Sequence, residues 1–147
     1  WGKGDNTLDV YGWKQAASSF KDFYASEIQS GSMPTNAPVV GYKWWAAHVD
    51  YYFCKPLNLQ LIGLGTLNEL HEYQWMNENR VSKVNLSSAY CIVPSDEFYD
   101  LQEKYGTYYS NIQLVKTIET FRSNKPAHYF YVYRLSGWKG KPVPGER

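Results

Sequence analysis

Leu57-Asn58-Leu59-Gln60-Leu61-Ile62-Gly63-Leu64-Gly65 is the stretch that decides the fold. A short apolar run that closes on two turn glycines reads as a buried strand, Leu57 to Gly63, rather than a helix. Just before it, Lys55-Pro56 ends a helical reading over Trp44 to Cys54, with Trp45, Val49, Tyr52 and Phe53 as inward positions. Before that helix, Pro38 opens Val39-Val40-Gly41-Tyr42-Lys43, a second short strand. Strand, helix, strand at this spacing is the pattern of a right-handed parallel crossover.

The pattern extends in both directions. Val10, Trp13, Ala17, Phe20, Tyr24 and Ile28 recur at steps of three and four, so Leu8 to Ser30 reads as one amphipathic helix stopped by Gly31 and Pro34. Thr66 to Asn77 fits neither period, and Asn77 to Asn85 reads as polar loop. Ser88 to Val93 is a third apolar strand. Ser95 is placed to cap a helix carrying Phe98, Leu101 and Tyr105, with Gly106 at its C-cap. Ile112 to Phe121 and Ala127 to Leu135 are β-rich runs joined by Ser123-Asn124-Lys125-Pro126, a hairpin signal. In the second run Tyr129, Tyr131 and Tyr133 alternate with other residues and fall on one face. Lys139 to Arg147, with two prolines and two glycines, reads as a frayed tail. The expectation is a single α/β domain over 1–147: a three-layer sandwich whose mostly parallel sheet of about five strands ends in an antiparallel hairpin.

Composition narrows the function. The chain has 147 residues, 44% hydrophobic and 20% charged, enough for one packed core. Fifteen basic residues against fourteen acidic ones leave a charge of +1, which argues against a nucleic-acid partner. Aromatics make up 18% of the chain. Two cysteines, Cys54 and Cys91, exclude a disulfide-built scaffold; they lie on different elements and read as buried thiols that do not bridge. No apolar run is long enough to span a bilayer. The opening Trp1-Gly2, without an initiator Met, reads as the start of a piece of a longer protein.

The motifs of common chemistries are weak or missing. Gly63-Leu64-Gly65 resembles the start of a dinucleotide fingerprint, but its third position is Asn68, and a strand-end turn explains it as well. His48, His71 and His128 are scattered, and no metal-ligand spacing appears, so no metal or cofactor is expected. Two clusters remain. One is Gly41 to Tyr52, containing Trp44, Trp45, His48 and Asp50; the other is His71 to Arg80, containing Tyr73, Trp75 and Arg80. Both mix aromatic faces with polar tips, which suits stacking on a sugar ring and bonding its hydroxyls. Ordinary core and rim packing accounts for the same residues. On the strand assignment these side chains follow strand carboxyl ends, where open α/β sheets form crevices, and one of the paired tryptophans is expected inside and the other at the rim.

These clusters, with Asp5 to Trp13, the His71-x-Tyr73-x-Trp75 stretch with Arg80, and Tyr129 to Leu135, resemble the soluble C-terminal domain of Bacteroidetes membrane glycosyltransferases. That group is the dolichyl-phosphate-mannose-protein mannosyltransferase superfamily, which includes aminoarabinose transferases. The resemblance runs through nearly the whole chain. It implies a parent protein with many transmembrane helices before Trp1 that moves a sugar from a polyprenyl-phosphate carrier onto an acceptor. The catalytic carboxylate would lie in the membrane part. The present domain would then be periplasmic, packed on its own transmembrane domain, and in contact with a glycan, lipid or polyprenyl-phosphate headgroup. No catalytic residue carries over onto this sequence. The alternatives are a small independent nucleotide- or sugar-binding enzyme built on the Gly63 turn, and a purely structural cap on the transmembrane helices.

Overall fold

The computed structural model describes residues 6–41, 45–65, 73–95, 100–141 and 143, and of residues 6–11, 73–75 and 127 the backbone alone. The first periodic run folds as helix α1, Asn6–Ser30. Trp13, Ala16 and Phe20 are buried along it, and Tyr24 and Ile28 pack partly against the core. It ends in a Schellman cap: Gly31, at φ 75, donates to the Ile28 carbonyl, and Ser32 donates to that of Glu27.

Three short strands follow the expected order. They are β1 (Val39–Gly41), β2 (Leu61–Gly63) and β3 (Ser88–Pro94), all in one sheet, with β1 pairing in parallel with both neighbours. The closing hairpin is β4 (Tyr109–Arg122) and β5 (Lys125–Trp138), and β5 pairs antiparallel with β3. The strand order is β2-β1-β3-β5-β4. Two junctions are parallel and two antiparallel, so the sheet is mixed rather than mostly parallel. The reason is how the hairpin docks: β5 joins the sheet beside β3 and runs opposite to it, which adds a second antiparallel junction to the one within the hairpin.

The turn of that hairpin is tighter than the sequence signal. Ser123 and Asn124 both take positive φ, 53 and 62, the signature of a two-residue type I′ turn, and Lys125-Pro126 already belongs to β5. The β1, β2 and β3 strands are buried on both faces, whereas β4 alternates widely exposed positions with a few buried ones. One face of the sheet receives α1: Phe20 meets Tyr90 edge-on with ring centroids 5.6 Å apart, and Trp13 meets Phe130 at 4.9 Å.

Five local readings are corrected. The helix expected over 44–54 is continuous from Trp45 but changes pitch, from α2 (Trp45–Val49) to a π-helical turn (Asp50–Cys54) and a 3₁₀ turn (Lys55–Leu57). Leu57 therefore belongs to a helical turn and not to the strand, because Pro56 favours the turn and Asn58, at φ 56, reverses the chain after it. Helix α3 (Tyr73–Arg80) begins in the stretch that fitted neither period and runs into the one read as polar loop, which goes on as a 3₁₀ turn over Val81–Lys83. Hydrophobic periodicity misses it because the side chain it buries among the described residues is an amide, Asn77. Finally, α4 is short, Leu101–Tyr105, and its cap is Asp100, whose carboxylate accepts from the amides of Gln102 and Glu103. Ser95 instead accepts from the Tyr129 amide on β5. Residues 96–99 of the expected helix lie outside the described residues. The tail is not wholly frayed, since Val143 is buried in the core.

Candidate functional site

The turn from α2 into the π-helix carries the first cluster. Trp45, Val49 and Phe53 face the core, which anchors the segment and leaves its opposite side outward. From the interior a ladder of rings runs to the surface. Phe130 touches Trp13, and Trp13 lies against His48, ring centroids 5.3 Å apart, and stacks with Tyr52 at 6.2 Å. Tyr52 meets Tyr51 edge-on at 4.9 Å. Tyr51 is 60% exposed and has the Lys55 ammonium 5.5 Å from its ring centroid, a cation–π pair.

The same segment carries a largely buried ion pair. Asp50, first residue of the π turn, accepts from the Arg80 guanidinium at the end of α3, 3.0 Å away. The same nitrogen donates to the Leu61 carbonyl at 3.1 Å. Three residues earlier, Asn77 bonds both polar groups of Gly63: its Oδ1 accepts from the Gly63 amide at 3.0 Å and its Nδ2 donates to the Gly63 carbonyl at 2.9 Å. These contacts have one cause. Toward β1, β2 uses the Gln60 carbonyl and the Leu64 amide, so the peptide groups of Leu61 and Gly63 point to the open edge of the sheet. Asn77 and Arg80, one turn apart on α3, take the place of a further strand and close that edge.

Cys54, fully buried at the end of the π turn, has its thiol pKa pushed well up, chiefly by burial and then by the Asp50 charge, with Arg80 opposing. The thiolate is disfavoured there, so this is a structural thiol and not a nucleophile. Cys91, mid-strand in β3, is also buried, and the two cysteines do not bridge. A second buried acid, Glu27 of α1, accepts from Arg134 of β5 and, at 3.3 Å, from the Tyr90 hydroxyl. Burial, and then the Glu27 charge, push the Tyr90 hydroxyl pKa far up.

The expected site residues thus separate. Trp45 is fully buried and fills the core; His48 is half-buried against Trp13; Asp50 and Arg80 meet in an ion pair. Trp44 and His71 lie outside the described residues, and Tyr73 and Trp75 are described only as backbone of α3. Sequence reasoning passed over Tyr51 as the exposed ring of its own cluster. It also passed over Asn77 and Glu27; the signal for Glu27 was an acid sitting in the apolar three-four series of α1. Among the described residues no group of three metal-ligating side chains gathers.

The crevice was expected at the carboxyl ends of the parallel strands, and 42–44, 66–72 and 96–99, which follow those ends, lie outside the described residues. A cleft of about 330 Å³ opens at the other end of the sheet, before β1 and β2, lined by residues 35–37, 58–60, 83 and 84. No protein-family model, curated protein or solved structure matches the chain.

Proposed function

We propose that the chain is an accessory domain of a polyprenyl-phosphate-sugar-dependent membrane glycosyltransferase, held at the periplasmic face by its own transmembrane part and touching an acceptor glycan or carrier headgroup. The observation that carries the reading is the division of labour in the 45–55 segment. Its acid, Asp50, is tied with Arg80 to the edge of β2, while its outward groups are the Tyr51 ring, Lys55 and the half-buried Tyr52 and His48. An exposed ring beside a cation and hydroxyls is equipped for stacking and hydrogen bonding rather than for bond cleavage. No helix among the described residues is long and apolar enough to cross a membrane, so the proposal places the membrane anchor outside them. The near-balanced charge supports no nucleic-acid role. The three-layer arrangement belongs to the same proposal and is supported by the burial of β1, β2 and β3 on both faces.

The nucleotide-enzyme alternative is disfavoured by one contact. The Gly63 amide, which a phosphate-cradling turn would present to its ligand, already donates to Asn77. The test is shift-mapping NMR on the 147-residue chain with a mannooligosaccharide and with a short-chain polyprenyl-phosphate mannose. Perturbation at Tyr51, Tyr52, His48 and Lys55, lost in Tyr51→Ala, supports the accessory reading. Silence with both probes favours the structural cap, and turnover of a nucleotide sugar above a boiled control refutes both.

A further inference from the structure

The cleft at the amino ends of β1 and β2 is built differently from the aromatic surface. Its lining residues include three primary amides, Asn36, Asn58 and Gln60, together with Thr35 and one cation, Lys83. Among the described residues no carboxylate and no aromatic ring lines it. Its floor is apolar: Ala37 and Leu59 are nearly fully buried. The frame around it is tied down by main-chain bonds. The Asn85 amide donates to the Asn36 carbonyl, the Val39 amide to that of Gln60, and the Leu59 amide to that of Cys54. Asn58 sits at φ 56, a conformation that Asn tolerates far better than most side chains.

Chemistry narrows what such a lining takes. A primary amide donates and accepts at once, which matches hydroxyl groups that do the same. Among the described lining residues there is no ring for a nucleobase to stack on, and the one charged group is the Lys83 ammonium, which favours an anion over a cation. The volume, about 330 Å³, lies at the small end of ordinary ligand sites. We propose that this cleft is a binding site for a small hydroxyl-rich molecule bearing one anionic group, either a sugar phosphate or a sugar acid, with the amides on its hydroxyls and Lys83 on its charge. The site is independent of the accessory-domain reading, because it shares no residue with the Tyr51 surface.

The test is a titration of the ¹⁵N-labelled chain with glucose 6-phosphate, glucuronate, methyl glucoside and inorganic phosphate, followed through side-chain amide and backbone resonances. Low-millimolar binding of glucose 6-phosphate or glucuronate, with shifts centred on Asn36, Asn58 and Gln60, is expected, and the stronger of the two identifies the anionic group. Methyl glucoside should bind about tenfold more weakly, the loss of one charge-assisted contact. Lys83→Gln, an exposed position, should bring the anionic sugars down to that level, and Gln60→Ala should weaken all three sugars. Equal affinity for inorganic phosphate and glucose 6-phosphate, shifts centred on Tyr51 instead, or no shift with any probe would each overturn the proposal. A failure here leaves the Tyr51 experiment unaffected, so the two readings fall separately.

Discussion

Replacing Asn77 by Asp changes one side-chain atom pair, NH₂ to O, and tests whether α3 closes the open edge of the sheet. In the native protein the Asn77 amide accepts from the Gly63 N–H at 3.0 Å and donates to the Gly63 carbonyl at 2.9 Å, with its side chain wholly shielded from solvent. Asn77→Asp keeps the acceptor and removes the donor. The Gly63 carbonyl is then buried without that bond, a loss of about 1–3 kcal/mol. A carboxylate oxygen also replaces the donor beside it in a desolvated site, so the total is about 3 kcal/mol at neutral pH. For a chain of this size that lowers the melting temperature by roughly 6–12 °C, at about 2–4 °C per kcal/mol. The deficit depends on pH with a definite sign. A carboxyl in this position has a folded pKa raised above its unfolded value of about 3.9, so the stability of its protonated form is fully present below that value and is lost as pH rises through the raised one. The protonated acid donates again to the carbonyl. Asn77→Ala, which removes both bonds, should be at least as destabilising and should show no such pH dependence relative to wild type. Urea unfolding followed by tryptophan fluorescence from pH 3 to 8, at about unchanged slope, measures both variants. A deficit for Asn77→Asp below about 0.5 kcal/mol, or one that does not shrink in acid, would refute the edge-closure account.

Arg80→Met leaves Asp50 buried without its 3.0 Å partner and should be destabilising by about 3 kcal/mol, while Asp50→Asn combined with Arg80→Met should recover part of that loss in a double-mutant cycle; strictly additive effects would show that the pair does not couple. Cys54 and Cys91 should resist a thiol reagent in the native chain and react fully in denaturant, since both are buried and Cys54 is held protonated; rapid native labelling of either would contradict the burial. Burial pushes the hydroxyl pKa values of Tyr90 and Tyr109 up, so their contribution to stability is complete below the unfolded value of about 10 and is lost at more alkaline pH; unfolding midpoints that stay flat from pH 9 to 12 would refute this. Tyr109→Phe should change stability by less than about 1 kcal/mol, because the buried Tyr109 hydroxyl has no hydrogen-bond partner among the described residues; a larger loss in thermal melts would show that it has one.

Much of the candidate site was visible in the sequence as residue types but not as roles. Trp45 and Arg80 stood in aromatic-polar clusters that resemble sugar-binding segments, yet one became core and the other an edge closure. Periodicity counts apolar residues, and it is blind to a helix such as α3 that buries an amide and pairs a guanidinium. It is equally blind to pitch: the segment from Trp45 passes from an α-helix into a π turn over Asp50–Cys54, a change that apolar spacing does not report.

By itself the sequence determined the elements whose signal is local. The three-four series and Gly31 define α1, the apolar runs bounded by Pro and Gly define β1, β2 and β3, and the turn residues at 123 and 124 define the hairpin. Each is set by backbone geometry and side-chain pattern within a few residues. Tertiary structure alone decided what joins residues far apart in the chain. It paired Asp50 with Arg80 and Glu27 with Arg134, set β5 rather than β4 beside β3, and placed Asn77 on the edge of β2. Those outcomes depend on which polar groups are left without partners once the core closes, and a buried donor or acceptor takes whatever partner the fold brings within about 3 Å.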